Sequence, residues 1–155
     1  MAKDLKYFMR EHKEEIVSVP GPETFTDENG KPIILEIKTI SNKEIRRINE
    51  NYRRRSIALN KDGAPYVQNN EVVFMTEEGG AKAVGHILAE ALVYPNLKDK
   101  QLMDFYKCVD ITEMAQLVFS RADEYVHVQR AVFVALGLSK ATDKPAGAVL
   151  EDAKN

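Results

Sequence analysis

Near the start of the chain Leu5, Phe8, Met9, His12 and Ile16 fall at i, i+3, i+4, i+7 and i+11, with Lys and Glu between them. That spacing predicts a short amphipathic helix. Pro20-Gly21-Pro22 would end it or its extension, which makes residues 1–19 a helical arm. The rhythm then changes. Asp27-Glu28-Asn29-Gly30 is turn chemistry, and Ile33-Ile34-Leu35-Glu36-Ile37 reads as a strand that can pair in a hairpin with Ile16 to Val19.

Ser41 stands three residues before Glu44, a capping-box spacing that predicts a helix to about Ser56 with Ile45, Ile48 and Tyr52 on its buried face. Asn60 to Asn70, with Gly63 and Pro65, reads as a loop, and Glu71 to Met75 as a strand or extended piece. From Gly80 the helical period returns in Val84, Ile87, Leu88, Ala91 and Leu92 until Pro95 stops it. Asp99 to Lys107 and Ile111 to Phe119 follow as short helices, the second with Ile111, Met114, Ala115 and Val118 on one face. Arg121 to Leu136 is the last helix, with Gly137 as its C-cap. Its apolar residues occupy two sides, Tyr125, Val128, Val132 and Leu136 on one, Val126 and Phe133 on another. Such a helix is either central or covered by a partner.

These elements predict an α+β fold, a small N-terminal β-hairpin packed on a mainly helical C-terminal bundle, forming a single domain over residues 1–138. The tail Ser139 to Asn155 offers a core little besides Val149 and Leu150, too little to offset the entropy of ordering it, and is expected to be flexible.

Composition narrows the function classes. Lys and Arg number 22 against 24 Asp and Glu, so no global field favours nucleic acid or an anionic membrane. The lone Cys108 cannot close a disulfide within the chain, and the charged residues after Met1 do not resemble a secretion signal, so a reducing cytoplasm is the expected setting. The longest strongly apolar run, Ala131 to Leu138, is far too short to span a bilayer, and no membrane partner is expected.

No catalytic or metal constellation emerges. His12, His86 and His127 lie far apart, and the best metal half-site, His86 with Glu90 one helical turn on, lacks the further ligands that a closed site needs. Cys108 beside Val109 suits a small core residue better than a nucleophile. Gly79-Gly80-Ala81-Lys82 at a helix start resembles an anion-binding turn, but Glu77-Glu78 oppose a phosphate and the Walker spacing is absent. No cofactor is implied. The sharpest charge feature is Arg46-Arg47 with Arg53-Arg54-Arg55, which a helix running to Ser56 would stack into a basic outer face. That face suits solvent and internal ion pairs, an acidic protein partner, or nucleic acid, although Glu44 and Glu50 interrupt it and no aromatic platform is interleaved.

The strand leading through Ser41 and Glu44 into a charged helix, the run Val93-Tyr94-Pro95-Asn96-Leu97-Lys98-Asp99-Lys100-Gln101-Leu102, and the ending Leu136-Gly137-Leu138 together resemble the XkdN-like phage tail assembly chaperones of Bacillus-type phages and prophages. The resemblance covers roughly residues 33–138, and its Pro-x-Leu-x-Asp piece is the most specific part. It departs at Lys107, where the family often has glycine after the tyrosine, and at Arg121-Ala122-Asp123-Glu124-Tyr125, where the family has Pro-Gly-Glu-Tyr.

The resemblance implies a non-enzymatic chaperone that binds the long, helical tape measure protein, keeps it soluble, and helps recruit the tail tube protein before leaving the finished tail. Two rivals stand beside it. One is a small nucleic-acid-binding or regulatory module using the Arg46–Arg55 helix; the other is an enzyme whose site assembles only in three dimensions around His86 or His127. On the chaperone reading no specific nucleic acid is bound, and homo-oligomers are compatible with the surfaces. The residues expected to bind protein are Leu5, Phe8 and Met9, Arg46 and Arg53, and Tyr125, Val126 and Phe133.

Overall fold

Alternation, not helical period, organises the start of the chain. In the computed structural model, which describes residues 3–77 and 80–140, Ile16–Pro20 form β1 and Ile34–Lys38 form β2. They pair antiparallel with Val17 opposite Ile37 and Val19 opposite Leu35, the hairpin that the sequence predicts. Leu35 and Ile37 are buried and the two valines half-buried, so these odd positions face the core while Ile16, Ser18 and Glu36 face out. The connecting turn is held by the Asp27 carboxylate, which accepts from Asn29 N–H at 2.8 Å and Lys31 N–H at 3.0 Å.

The amphipathic helix predicted over Leu5 to Ile16 does not form. Only Leu5–Phe8 make a 3₁₀ turn, capped by Asp4, and none of its residues is buried. A short isolated helix is marginal in water, and Ile16-Val17-Ser18-Val19 gains more by pairing with β2. His12 leaves the expected stripe and donates from Nε2 to the Thr39 carbonyl at 2.7 Å.

Ser41 starts α1, Asn42–Asn51, and its hydroxyl accepts from Glu44 N–H at 3.2 Å. Ile45 and Ile48 are buried as expected. The helix nevertheless ends at Asn51 with Tyr52 as its C-cap, because the next residues are claimed by strand pairing. Arg54–Ile57 form β3. The stretch read as a loop contains β4, Val67–Gln68, and the strand expected over Glu71 to Met75 is divided into β5, Glu71–Val72, and β6, Phe74–Glu77, which returns antiparallel to β3 with Ile57 opposite Phe74. Asn69 and Asn70, at φ 55° and 64°, make the two-residue turn between β4 and β5. Ala58 sits where the three passes of this β-arm meet: its N–H donates to Val73 at 2.9 Å and its carbonyl accepts from Tyr66 at 2.7 Å.

The helical half follows the predicted order: α2, Gly80–Ala91; α3, Lys100–Tyr106; α4, Ile111–Val118; α5, Ala122–Ala135. Leu92–Tyr94, read as the end of α2, instead form β7, which joins the free side of β2 with Leu92 opposite Ile37. The resulting sheet has the order β1-β2-β7. Ile87, Leu88, Ala89 and Ala91 of α2 share a core with Ile45 and Ile48, Met114 and Ala115, and Val128 and Val132. The fold is α+β.

Local chemistry explains the Pro-x-Leu-x-Asp motif. Tyr94-Pro95 is a cis peptide, Leu97 is fully buried, and the Asp99 carboxylate caps α3 by accepting from Gln101 and Leu102 N–H. Gly137, at φ 77°, closes α5, and Leu138 N–H donates to the Phe133 carbonyl at 2.8 Å.

Candidate protein-docking site

Exposed apolar side chains gather in the N-terminal segment and on the β-arm, and also at Tyr94, Phe105 and Val109 around α3. In the N-terminal segment Phe8 is 81% exposed and Met9 74%, with Leu5 and Tyr7 beside them. On the β-arm Leu59 is 62% exposed, and Ile57, Tyr66, Val67, Phe74 and Met75 are also open to solvent. The arm positions these residues through its backbone ladder, with Ala58 its buried apolar residue. Arg55 lies over the Phe74 ring at 4.2 Å, so a cation borders the apolar surface. From the sequence only Glu71 to Met75 of the arm is expected to be extended, and its hairpin is not. Its signal was Asn69-Asn70 between Tyr66-Val67 and Val72-Val73-Phe74, a two-residue hairpin spacing hidden inside a polar stretch.

The expected binding residues do not form one surface. Leu5, Phe8 and Met9 are exposed. Arg46 is exposed and lies 3.7 Å from Glu50. Arg53 follows the end of α1, where its N–H donates to the Glu50 carbonyl at 3.3 Å, so it does not stack over Arg46. The basic face required by the nucleic-acid reading is therefore not built as one helix. Arg47 pairs with Glu44, Nε to Oε2 at 3.0 Å, and that bond, with the attraction behind it, holds Glu44 below and Arg47 above their ordinary values.

On α5 the predicted division into two apolar sides does not hold, because Phe133, grouped with Val126, packs on the core. Val128 and Val132 are fully buried, and Tyr125 and Phe133 are half-buried against the same core. Burial raises the Tyr125 hydroxyl, although a bond with Gln116 acts in the opposite sense. Val126 is different: it is 37% exposed and lines a groove of about 660 Å³ between α5 and β1. Val17, Val19, Ala131 and Val134 form its other apolar walls, and His127 donates from Nε2 to the Pro20 carbonyl at 2.9 Å at one end.

The groove at His127 is lined mainly by apolar side chains, with Asp123 and Arg130 beside it. His86 is tied at both ring nitrogens. With the proton on Nε2, it accepts from the Tyr52 hydroxyl through Nδ1 at 2.7 Å and faces Glu90 at 3.4 Å. Lys98 completes the chain, 3.2 Å from Glu90, and burial followed by the charge of Asp110 raises the Tyr52 hydroxyl. This series clamps α1, α2 and the approach to α3 together. Among the described residues no cluster of three or more His, Cys, Asp or Glu could hold a metal, and no helix is long and apolar enough to cross a membrane. Cys108 is half-buried and its Sγ–H donates to the Asp110 carbonyl at 3.2 Å. Gly79 lies outside the described residues, while Gly80-Ala81-Lys82 form the start of α2.

The family model for the phage XkdN-like tail assembly chaperone protein matches residues 5–154. The chain belongs to this family. The chain is 30% identical over 126 residues to the uncharacterized protein YqbN of Bacillus subtilis strain 168, covering 80% of this chain and 77% of that one. It is 27% identical over 126 residues to the phage-like element PBSX protein XkdN of the same strain, covering 80% and 78%. The crystal structure of YqbN matches its fold with a TM-score of 0.63 at 23% identity, over 90% of this chain and all of the other.

Lys107, where the resemblance departs from the family's glycine, is held at φ 52° as the C-cap of α3. The Arg121 departure is absorbed at the extended N-cap of α5, where Arg121 N–H donates to Glu124 at 3.0 Å. The expected mobility of the tail concerns residues that, from Ala141 onward, lie outside those described.

Proposed function

We infer that this protein is a non-enzymatic assembly factor that binds the tape measure protein of a phage or prophage tail, keeps it from aggregating, and helps bring tail tube subunits to it. Membership of the tail assembly chaperone family carries the reading. The apolar side chains of the N-terminal segment and the β-arm supply the kind of surface such a role needs, since contiguous exposed apolar residues mark sites that meet other proteins. The bacterial cytoplasm is where this work would be done.

The deciding experiment is co-expression with the neighbouring tape measure protein, comparing wild type with Phe8→Asp and Leu59→Asp. Phe133→Asp is unsuitable because Phe133 packs on the core. Both variants should fold, as circular dichroism would verify, and each should lower the partner's soluble fraction. A wild type that leaves the tape measure insoluble would overturn the reading. Folded variants that solubilise it as well as wild type would remove these surfaces from the site.

A further inference from the structure

We propose that β1 is a self-pairing edge, through which two copies of this chain join their three-stranded sheets around a two-fold axis at Val17. This goes beyond the chaperone reading and does not depend on it.

The argument begins with the ladder. Thr39 N–H donates to the Glu15 carbonyl at 2.8 Å at one end of β1, and Gly21 N–H to the Ile33 carbonyl at 2.7 Å at the other. Hydrogen-bonded positions alternate along an antiparallel pair, so Val17 and Val19 also point their backbone groups at β2. Those of Ile16, Ser18 and Pro20 point away from the sheet. Pro20 has no N–H, and its carbonyl accepts from His127. Ile16 and Ser18 thus present donors and acceptors on an edge that no strand among the described residues covers.

A second β1, antiparallel with Ile16 opposite Ser18 of the other copy, satisfies these groups reciprocally: each N–H of Ile16 and Ser18 meets a carbonyl of the copy. The five residues Ile16–Pro20 carry no charge. They therefore lack the lysines or inward charges by which edge strands commonly resist such pairing. Just outside the strand, the acidic Glu14 and Glu15 come opposite Pro20 and Val19 of the copy, near its His127, and no like charges face each other along the ladder.

The groove supplies the second half of the fit. A two-fold axis perpendicular to the sheet keeps both helical layers on one side, so the copy's Val17 and Val19 point over the groove beneath the β1 edge. Valine side chains from the copy then meet Val126, Ala131 and Val134, which otherwise border empty space. Backbone bonds give the pairing its register and the valines give it apolar burial.

Sedimentation velocity of the full chain should show a monomer–dimer equilibrium that moves toward dimer from about micromolar to several hundred micromolar. Ser18→Pro removes an outward donor without touching the β1–β2 ladder, and should raise the dissociation constant at least tenfold while leaving the circular dichroism spectrum unchanged. Val126→Lys, which charges the groove, should do the same and serves if Ser18→Pro fails to fold. Hydrogen exchange gives a second measure, with the Ile16 and Ser18 amides protected only at high concentration. A wild type monomeric throughout the range would overturn the proposal, as would folded variants that dimerise like wild type. Protection in dilute solution that disappears on deleting residues 141–155 would assign the edge to the chain's own end, and also overturns it.

Discussion

Gly85 of α2 lies directly beneath the Thr112 carbonyl of α4, so close that a Cβ built on it would overlap the Thr112 carbonyl oxygen and carbon. The obstacle is backbone, which cannot turn aside as the end of a long side chain can. This absence of a side chain allows α2 to share the buried surface of Met114 and Ala115.

Gly85→Ala should therefore force the two helices apart, although alanine is the better helix former. Overpacking of this kind costs about 1–3 kcal/mol, and backbone against backbone belongs at the upper end. Thermal unfolding should show a melting temperature lowered by roughly 5–10 °C. An unchanged or raised value would mean that the helices separate freely here.

Lys107 adopts left-handed backbone geometry, φ 52° and ψ 43°, with its N–H donating to the Asp104 carbonyl at 3.1 Å. A residue with a Cβ pays for this conformation, and glycine does not. Lys107→Gly should stabilise the protein by about 1 kcal/mol after allowing for the entropy glycine loses on folding. A chemical-denaturation midpoint that moves down instead would contradict the assignment.

The sequence disclosed what local chemistry dictates. Ser41, Asp99 and Gly137 marked helix ends, and the β1–β2 hairpin followed from alternation and an Asn-Gly turn. It failed where two local patterns competed and a distant partner decided. Leu5 to Ile16 fitted a helical stripe, but β2 captured Ile16 and its followers. Arg53 to Arg55 fitted the continuation of α1, but β6 captured Arg54 and Arg55. The candidate site suffered most. Phe8 and Met9 were identified as exposed contacts from the wrong element, and of the β-arm only the stretch from Glu71 to Met75 was recognised as extended. The groove needs β1 and α5, whose proximity no local pattern encodes.

Asp110 caps α4, its carboxylate accepting from the Thr112 hydroxyl at 2.7 Å and the Thr112 N–H at 2.9 Å. These bonds, hydroxyl first, hold its carboxyl below the ordinary 3.8, with Lys82 and His86 contributing and desolvation opposing. A carboxyl depressed by folding stabilises the protein above its unfolded value, and that stabilisation is lost as pH falls through the lower folded value. Wild type should melt above Asp110→Asn at neutral pH, with the gap closing as the pH drops below 3.8. A gap independent of pH across that window would show that the charge of Asp110 contributes nothing.

Glu124 is the buried carboxylate that fastens the hairpin loop to the start of α5. It accepts from the Thr24 hydroxyl and from Arg121 N–H at 3.0 Å, while Phe25, next to Thr24, meets Phe119 edge-on at 5.3 Å. Glu124→Ala removes the acceptor for both donors, at a cost of about 2–3 kcal/mol. Glu124→Gln keeps the shape and one acceptor, and should cost less. Because Thr24 and Glu124 act on each other across the tertiary contact, Thr24→Val and Glu124→Gln should be non-additive, with a coupling energy of at least about 1 kcal/mol in a double-mutant cycle. Urea unfolding of the four proteins measures it. If the two losses simply add to within about 0.5 kcal/mol, the hairpin loop is held by Phe25 against Phe119 and not by the carboxylate.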